Sequence, residues 1–416
     1  MSPLTWIAAA SLVVWLWLLL GHGFYWRTDV RLPGAGTPPP SETAGWPAVA
    51  VVVPARNEAA VLPSSLPSLL DQDYPGAAEV FLVDDGSTDG TAELARRLAE
   101  GPHPSPARPE GLPLTVVSAG EPPAGWTGKL WAVRQGCSAA RDRMPELEYL
   151  LLTDADIAHR RDSLRTLVSA ARSAGLDLLS QMARLRVVTT WERLVVPAFV
   201  YFFAQLYPFR RVNRPGSGTA AAAGGCVLLG AAAAERAGVP ESIRGAVIDD
   251  VALAGAVRAA GGRGWLGLAE GVRSVRPYPG LADLWAMVSR SAYTQLRHSP
   301  WLLAGTVLAL ALVYLAPPIS LLAGVVAAEP ATALAGGAAW AVMAGTYLPM
   351  LRYYGQPPWL APLLPGTALL YLLMTVDSAA RHHRGGGAAW KGRTYRPRTA
   401  PEEDAPVESG ASEGAG

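Results

Sequence analysis

Residues 3–20, PLTWIAAASLVVWLWLLL, carry no charge and reach the roughly 17–25 residues that cross a bilayer. Trp26, Arg27 and Arg31 follow. A cleaved signal would carry its basic residues first and a small-residue site last. This order predicts an uncleaved anchor over residues 1–26, its N-terminus outside and its arginine flank cytoplasmic. Residues 27–46 read as a linker, Pro- and Gly-rich over PGAGTPPPSETAGW. From residue 47 the pattern changes to short β-branched runs alternating with Ala/Leu/Arg segments of helical period, which predicts βα units on a mainly parallel sheet through residue 282. Strands are expected near 48–53, 79–84, 114–118, 148–153 and 176–181, and helices near 58–71, 88–99, 128–142 and 162–174. The Pro-rich stretch 101–113 reads as a surface loop.

The segment WERLVVPAFVYFFAQLYPFRR, 191–211, is apolar between Arg193 and Arg210 but holds Pro197. It reads as a helix at the membrane surface or in the domain core, not as a span. Residues 283–300 mix aromatic, apolar and basic side chains and predict an interfacial helix. A C-terminal membrane region, 301–380, holds apolar stretches near 301–328, 331–350 and 358–377. Three full crossings would leave the tail outside, yet Arg381, Arg384, Lys391, Arg393, Arg396 and Arg398 open that tail, and flanks this basic stay cytoplasmic. One stretch is therefore expected to turn back. Residues 301–328 are the first candidate, because Pro317-Pro318 interrupts them midway, and 358–377, with Pro362 and Pro365 near its start, is the second. Residues 381–416 are basic, then acidic and rich in Gly, Ser and Ala, the composition of a disordered tail.

Composition agrees with a membrane protein that has a soluble part: 50% of residues are hydrophobic and the mean hydropathy is +0.20. The net charge of +1 gives no global argument for nucleic acid. Cys137 and Cys226 show no CxxC or Cys/His spacing and read as buried thiols. The 35 basic residues include only two lysines, Lys129 and Lys391. In a chain that otherwise uses Arg, a retained Lys suggests that a compact point charge is wanted.

Candidate chemistry gathers at the ends of the predicted strands. YLLLTDADIAH, 149–159, drives an apolar run into Asp154 and Asp156. Strand residues two apart point the same way, and open α/β sheets bind ligands beyond their C-terminal strand ends. Two adjacent carboxylates suit Mg²⁺ or Mn²⁺ completed by phosphate oxygens; a helix cap is the alternative. VVVPARNEAAVL, 51–62, offers Pro54, Arg56, Asn57 and Glu58 where a helix begins, suited to a nucleotide, although a helix start by itself explains Asn57 and Glu58. Asp84 and Asp85 close the second strand in a Gly/Ser turn, either accepting from a base or ribose or capping that turn. GWTGKLWAV, 125–133, sets Lys129 at a Gly-rich helix entrance suited to a diphosphate, with a solvated lysine as the alternative. Asp249 and Asp250 begin another helix, as caps or as chemistry.

In this order, PARNE, VDDGSTDGT, GK, DAD and DD resemble family 2 glycosyltransferases over about 50–300, the inverting nucleotide-diphosphosugar enzymes with a GT-A fold. The anchor, GWTGKLWA, the C-terminal apolar stretches and the closing WKGRTY look most like the hopene-associated membrane members, near the carotenoid and ceramide types. The resemblance implies an α/β GT-A domain with a mainly parallel sheet, flanked by N- and C-terminal transmembrane helices. It implies that Asp84 and Asp85 bind the nucleoside, that Lys129 lies near it or the diphosphate, and that Asp154 and Asp156 form a DxD metal site for Mg²⁺ or Mn²⁺. Asp250 stands where the family places its general base, with Asp249 replacing the usual Glu. GGCVLLG, 224–230, matches the acceptor-side loop, placing Gly225 there with Asp249, Gln295 and Arg297. The Gln/Arg-x-x-Arg-Trp motif of processive members is not kept, since YTQLRHSP sets Gln295 and Arg297 two apart and His298 in place of Trp. A single transfer to a lipid, a hopanoid or similar isoprenoid, is expected at the plasma membrane from a cytoplasmic domain. The alternatives are a polyprenyl-phosphate acceptor or a non-catalytic, transporter-like protein. A dinucleotide oxidoreductase is disfavoured because no GxGxxG follows the first strand, and no P-loop is present.

Overall fold

The computed structural model describes residues 2–32, 45–101 and 111–384, with the backbone of residues 389, 390, 393 and 394. Its main sheet comprises β1 (Ala48–Ala55), β2 (Ala78–Asp84), β3 (Leu114–Ser118), β4 (Leu147–Thr153), β5 (Ile157–His159), β6 (Leu178–Arg184), β7 (Cys226–Gly230) and β8 (Gly264–Ser274). The order is β3-β2-β1-β4-β7-β6-β8-β5. β1 pairs parallel with β2 and β4, β2 with β3, and β6 with β8, whereas β7 runs antiparallel to both β4 and β6. β1 is buried at every position, as a strand covered on both faces must be, which explains its unbroken apolar run.

The helices of this domain are α2 (Leu62–Leu70), α3 (Thr91–Ala99), α4 (Gly128–Arg143), α5 (Ser163–Ala174), α6 (Thr190–Leu206), α7 (Asp249–Ala259) and α8 (Leu281–Ser289), after the N-terminal α1 (Pro3–Leu20). Two apolar cores lie on the two faces of the sheet. α4 lies close enough that a Cβ at Gly136 would stand 2.6 Å from Val52 Cγ1 and 2.8 Å from Val83 Cγ2, so only glycine permits this packing. The α/β class with a mainly parallel sheet is the expected one. Periodicity did not predict β5, β7 and β8. GGCVLLG, expected as a loop, is a loop only at Gly224 and Gly225 and then becomes the central strand β7, because Val227, Leu228 and Leu229 are all buried.

Most of 191–211 forms the packed helix α6. Thr189 and Glu192 form a capping box at its start, and Val195, Val196, Tyr201 and Ala204 join a third core shared with the apolar helices. The interfacial helix expected over 283–300 is instead broken into α8 and a short turn at Ala292–Gln295. Ser378 causes the break: its hydroxyl accepts from Tyr293 N at 3.1 Å and donates to Ser289 O at 2.5 Å, separating the two groups that a continuous helix would pair.

Among the described residues four helices are long and apolar enough to cross a membrane, Pro3–Leu20, Pro300–Val326 (α9), Pro330–Tyr353 (α10) and Pro358–His383. Many of their large apolar side chains face outward, Trp301 at 87% and Val326 at 88% exposed, as contact with lipid requires. The turn expected at Pro317-Pro318 does not form. A π-helical segment, Ala311–Leu315, precedes the prolines and α9 continues. The Val313 carbonyl that Pro317 cannot engage accepts from the Trp15 indole at 2.7 Å.

The second candidate does turn. At one end of the bundle Ser2 bonds to Glu329 and Thr5 to Thr332; at the other, Tyr353 donates to Ala269 O in β8. The short helix Pro358–Leu363 packs back along α10, where the Trp340 indole reaches Pro362 O at 3.1 Å. The helix Leu364–His383 (α11) then returns to the sheet domain, with Asp377 on Trp285 at 2.7 Å and Ser378 on α8. Of the expected basic flank, Arg381 and Arg384 lie at this end. The side chain of Arg393, together with Lys391, Arg396, Arg398 and most of WKGRTY, falls outside the described residues.

Candidate active site

The antiparallel direction of β7 builds the site. β4 ends at Thr153 opposite Cys226, the first residue of β7, and Thr153 Oγ1 donates to Gly225 O at 2.8 Å. The end of β4 and the start of β7 therefore share one edge of the sheet, where β1 and β2 also end. Asp154–Asp156 is a turn between β4 and β5, not the end of a strand, so the two side chains are placed by the turn and not by strand alternation. Asp154 Oδ1 meets Lys129 Nζ at 2.9 Å, and Asp249 Oδ2 meets the same ammonium at 3.0 Å. Asp156 Oδ2 accepts from Ser274 Oγ at 2.6 Å and lies 3.3 Å from Arg276 Nε.

Asp250 enters from the start of α7. Its Oδ2 accepts from Gly224 N at 2.9 Å and its Oδ1 from Val251 N at 2.8 Å. Burial and the neighbouring Asp249 nonetheless push its carboxyl up to about 6. Burial likewise raises Asp154, with Asp156 and Asp249 adding to the effect against Lys129. Burial by itself would depress Lys129, but Asp154 and Asp249 more than reverse this, so the ammonium stays charged.

The candidate nucleotide residues divide. Pro54 is buried at the end of β1. Asp85 is fully buried, and Arg56 donates to its carbonyl and stands 3.4 Å from its carboxylate. Asp84 is partly exposed and accepts weakly from Ser87 N at 3.3 Å. Asn57, at φ +52°, accepts from Thr88 N at 2.9 Å, and Glu58 N donates to Thr91 Oγ1 at 2.9 Å. Asn57 and Glu58 thus join the PARNE loop to the GSTDGT loop. On the far side, Gln295 Nε2 donates to Tyr207 OH at 2.5 Å, and burial raises the Tyr207 hydroxyl, with Asp250 adding to the effect. Arg297 is exposed at φ +51° on the turn before α9.

Motif order missed Arg276, whose guanidinium holds Glu58 at 2.7 and 2.8 Å as well as Asp156, and Glu192. Despite burial, amide bonds from Tyr278, Thr189 and Val188, with Arg186, hold the Glu192 carboxylate below its ordinary range. The spacing T-x-x-E at 189–192 was a legible capping-box signal for Glu192; nothing local marked Arg276. Both thiols are inert, pushed up to about 12 by burial.

Among the described residues no group of three or more His, Cys, Asp or Glu is arranged to hold a metal alone. Asp154 and Asp156 each keep one oxygen that accepts from no protein donor among those residues. The pair therefore suits a hard cation whose remaining ligands are phosphate oxygens and water.

The sequence model of Glycosyl transferase family 2 matches residues 50–237. The chain carries a glycosyl transferase family 2 domain. An N-acetylglucosaminyltransferase of Rhizobium meliloti is 50% identical over 54 residues, 13% of each chain. A 4,4'-diaponeurosporenoate glycosyltransferase of Staphylococcus aureus is 30% identical over 130 residues, 31% of this chain and 29% of that one. These matches thus span less than a third of either relative. The mannosyltransferase PcManGT from Pyrobaculum calidifontis, solved with GDP-Man and Mn2+, superposes at a TM-score of 0.51 and 22% identity, covering 91% of this chain and 97% of its own. That likeness is one of fold.

Proposed function

We propose that this chain is an inverting glycosyltransferase of the hopene-associated type. It moves one sugar from a nucleotide-diphosphosugar to the hydroxyl of a lipid, a hopanoid or similar isoprenoid, at the cytoplasmic face of the plasma membrane. The observation that carries this reading is the recessed Asp250 carboxyl, raised to about 6 beside Asp249 and near Lys129, which also holds Asp154. A base with this value is deprotonated at neutral pH and still takes up a proton readily. Tyr207 links its surroundings to Gln295 and so to the apolar helices, which favours an acceptor arriving from lipid. The relative named for a diaponeurosporenoate acceptor supports the same class.

In the proposed step Asp250 takes the acceptor hydroxyl's proton as that oxygen bonds to the anomeric carbon. The bond to the donor diphosphate breaks on the opposite face. Asp154 and Asp156 would hold Mg²⁺ or Mn²⁺, which supplies positive charge to the departing diphosphate. Lys129 adds a fixed ammonium there, Asp84 serves the nucleoside, and Gly224 N keeps Asp250 in place. Membranes containing the protein, incubated with a panel of radiolabelled sugar nucleotides, should yield one labelled lipid in which the sugar is bound as a glycoside. A phosphodiester-linked product would replace this reading with a polyprenyl-phosphate acceptor, and no labelled lipid from any donor would refute lipid transfer.

A further inference from the structure

Two protein cations are set among four carboxylates, Asp154, Asp156, Asp249 and Asp250, and they are held in different ways. Arg276 is pinned, because both Glu58 oxygens hold one of its nitrogens at 2.7 and 2.8 Å while Asp156 lies 3.3 Å from another. Lys129 is held at its tip by Asp154 and Asp249, at 2.9 and 3.0 Å, on a flexible stem rooted in the first turn of α4.

We propose that Lys129 is an exchangeable counter-ion: without donor it neutralises Asp154, a carboxylate that a divalent cation needs, and it leaves when a diphosphate offers it another anion. Cation and diphosphate then enter together. The proposal rests on Asp154 and Asp156 being the cation ligands. A dication in contact with Asp154 would otherwise stand beside the ammonium, and the repulsion would be strong in so recessed a site. Among the described residues no group of three or more His, Cys, Asp or Glu could hold a metal alone, so phosphate is needed twice, as ligand and as the new partner of Lys129. The residue type fits. An arginine would fork across Asp154 and Asp249 and resist exchange, whereas a lysine is a single rotatable point charge.

The test uses the full chain in detergent and counts Mn²⁺ retained on ultrafiltration, alone and with UDP or GDP, against nucleotide-only blanks. The unchanged protein should retain Mn²⁺ at least about tenfold more weakly without nucleotide than with the one it accepts. Lys129→Met should tighten binding of Mn²⁺ alone by about tenfold or more and weaken nucleotide binding, closing the gap. If Lys129→Met fails to fold, the double variant Lys129→Met with Asp249→Asn, which removes one uncompensated charge, is judged by the same criterion. Unchanged binding of Mn²⁺ alone in a folded variant overturns the proposal, as does equal binding with and without nucleotide in the unchanged protein. Neither result touches the cation ligands. If the unchanged protein retains no Mn²⁺ with either nucleotide, both the proposal and the assignment of Asp154 and Asp156 fall.

Discussion

Replacing Asp250 by Asn separates shape from proton transfer. Both carboxylate oxygens accept from backbone amides, Gly224 N at 2.9 Å and Val251 N at 2.8 Å, so the amide of Asn must turn its NH₂ toward one of these donors. Leaving that donor unsatisfied costs about 1–3 kcal/mol of stability, readable as a fall in melting temperature. The loss in rate is separate and larger, about 10²–10⁴-fold for removal of a general base, with donor binding kept. The pH dependence gives an independent check. A base must be deprotonated to act, and burial beside Asp249 has raised this carboxyl to about 6; kcat/KM should therefore rise with pH through about 6 and level above it. The Asn variant should lose that limb. The assay is initial rate against pH with saturating donor, beside nucleotide binding measured directly. Normal turnover by Asp250→Asn, or a limb near pH 6 that survives the substitution, would show that Asp250 only caps α7.

Asp154→Ala or Asp156→Ala should abolish transfer, and EDTA should do the same to the unchanged protein; full activity under either condition refutes the cation assignment. Lys129→Arg should raise the donor KM, because the guanidinium cannot reproduce one ammonium between Asp154 and Asp249, and an unchanged KM would show that the lysine is incidental. For topology, cysteines placed singly at 330, 355 and 395 in a background lacking Cys137 and Cys226 should react with an impermeant thiol reagent from outside intact cells only at 330. Labelling at 355 would restore the hairpin at Pro317-Pro318, and labelling at 395 would mean that the last helix crosses fully.

The parallel half of the sheet was legible because β1 and β2 are buried at nearly every position and read as apolar runs, and β4 carries a Leu-rich run toward Asp154. β7 was not, since CVLLG follows two glycines and looks like a loop until its partners β4 and β6 bury it. Asp154, Asp249 and Asp250 were legible as motifs, but their convergence on Lys129 depends on β7 running backwards, which no local pattern encodes. Arg276 stayed invisible for the same reason. Its partners, Glu58 and Asp156, are 218 and 120 positions away in a chain with thirty-one other arginines besides Arg56, 35 basic residues less two lysines and these two. The helix break at Ser289–Tyr293 depends on a hydroxyl from residue 378. Each miss is a long-range contact overriding a sound local expectation.

Charge and packing separately point to the same path for the last apolar stretch. The basic residues after 380 argue that the tail stays with the sheet domain, and the path of the last apolar stretch achieves this without Pro317-Pro318. Trp15 supplies the hydrogen bond that Pro317 lacks, so α9 can run on to Val326. Pro357, Pro358, Pro362 and Pro365 instead fall where the chain packs back along α10 and reverses into α11. Prolines mark where a helix loses a donor, and neighbouring groups decide whether that loss becomes a turn. In this protein an indole on α1 removes the turn at one pair of prolines. At the other, no long helix needs to continue, because α11 must bring Asp377 and Ser378 back to α8, next to the short turn that carries Gln295 to Tyr207.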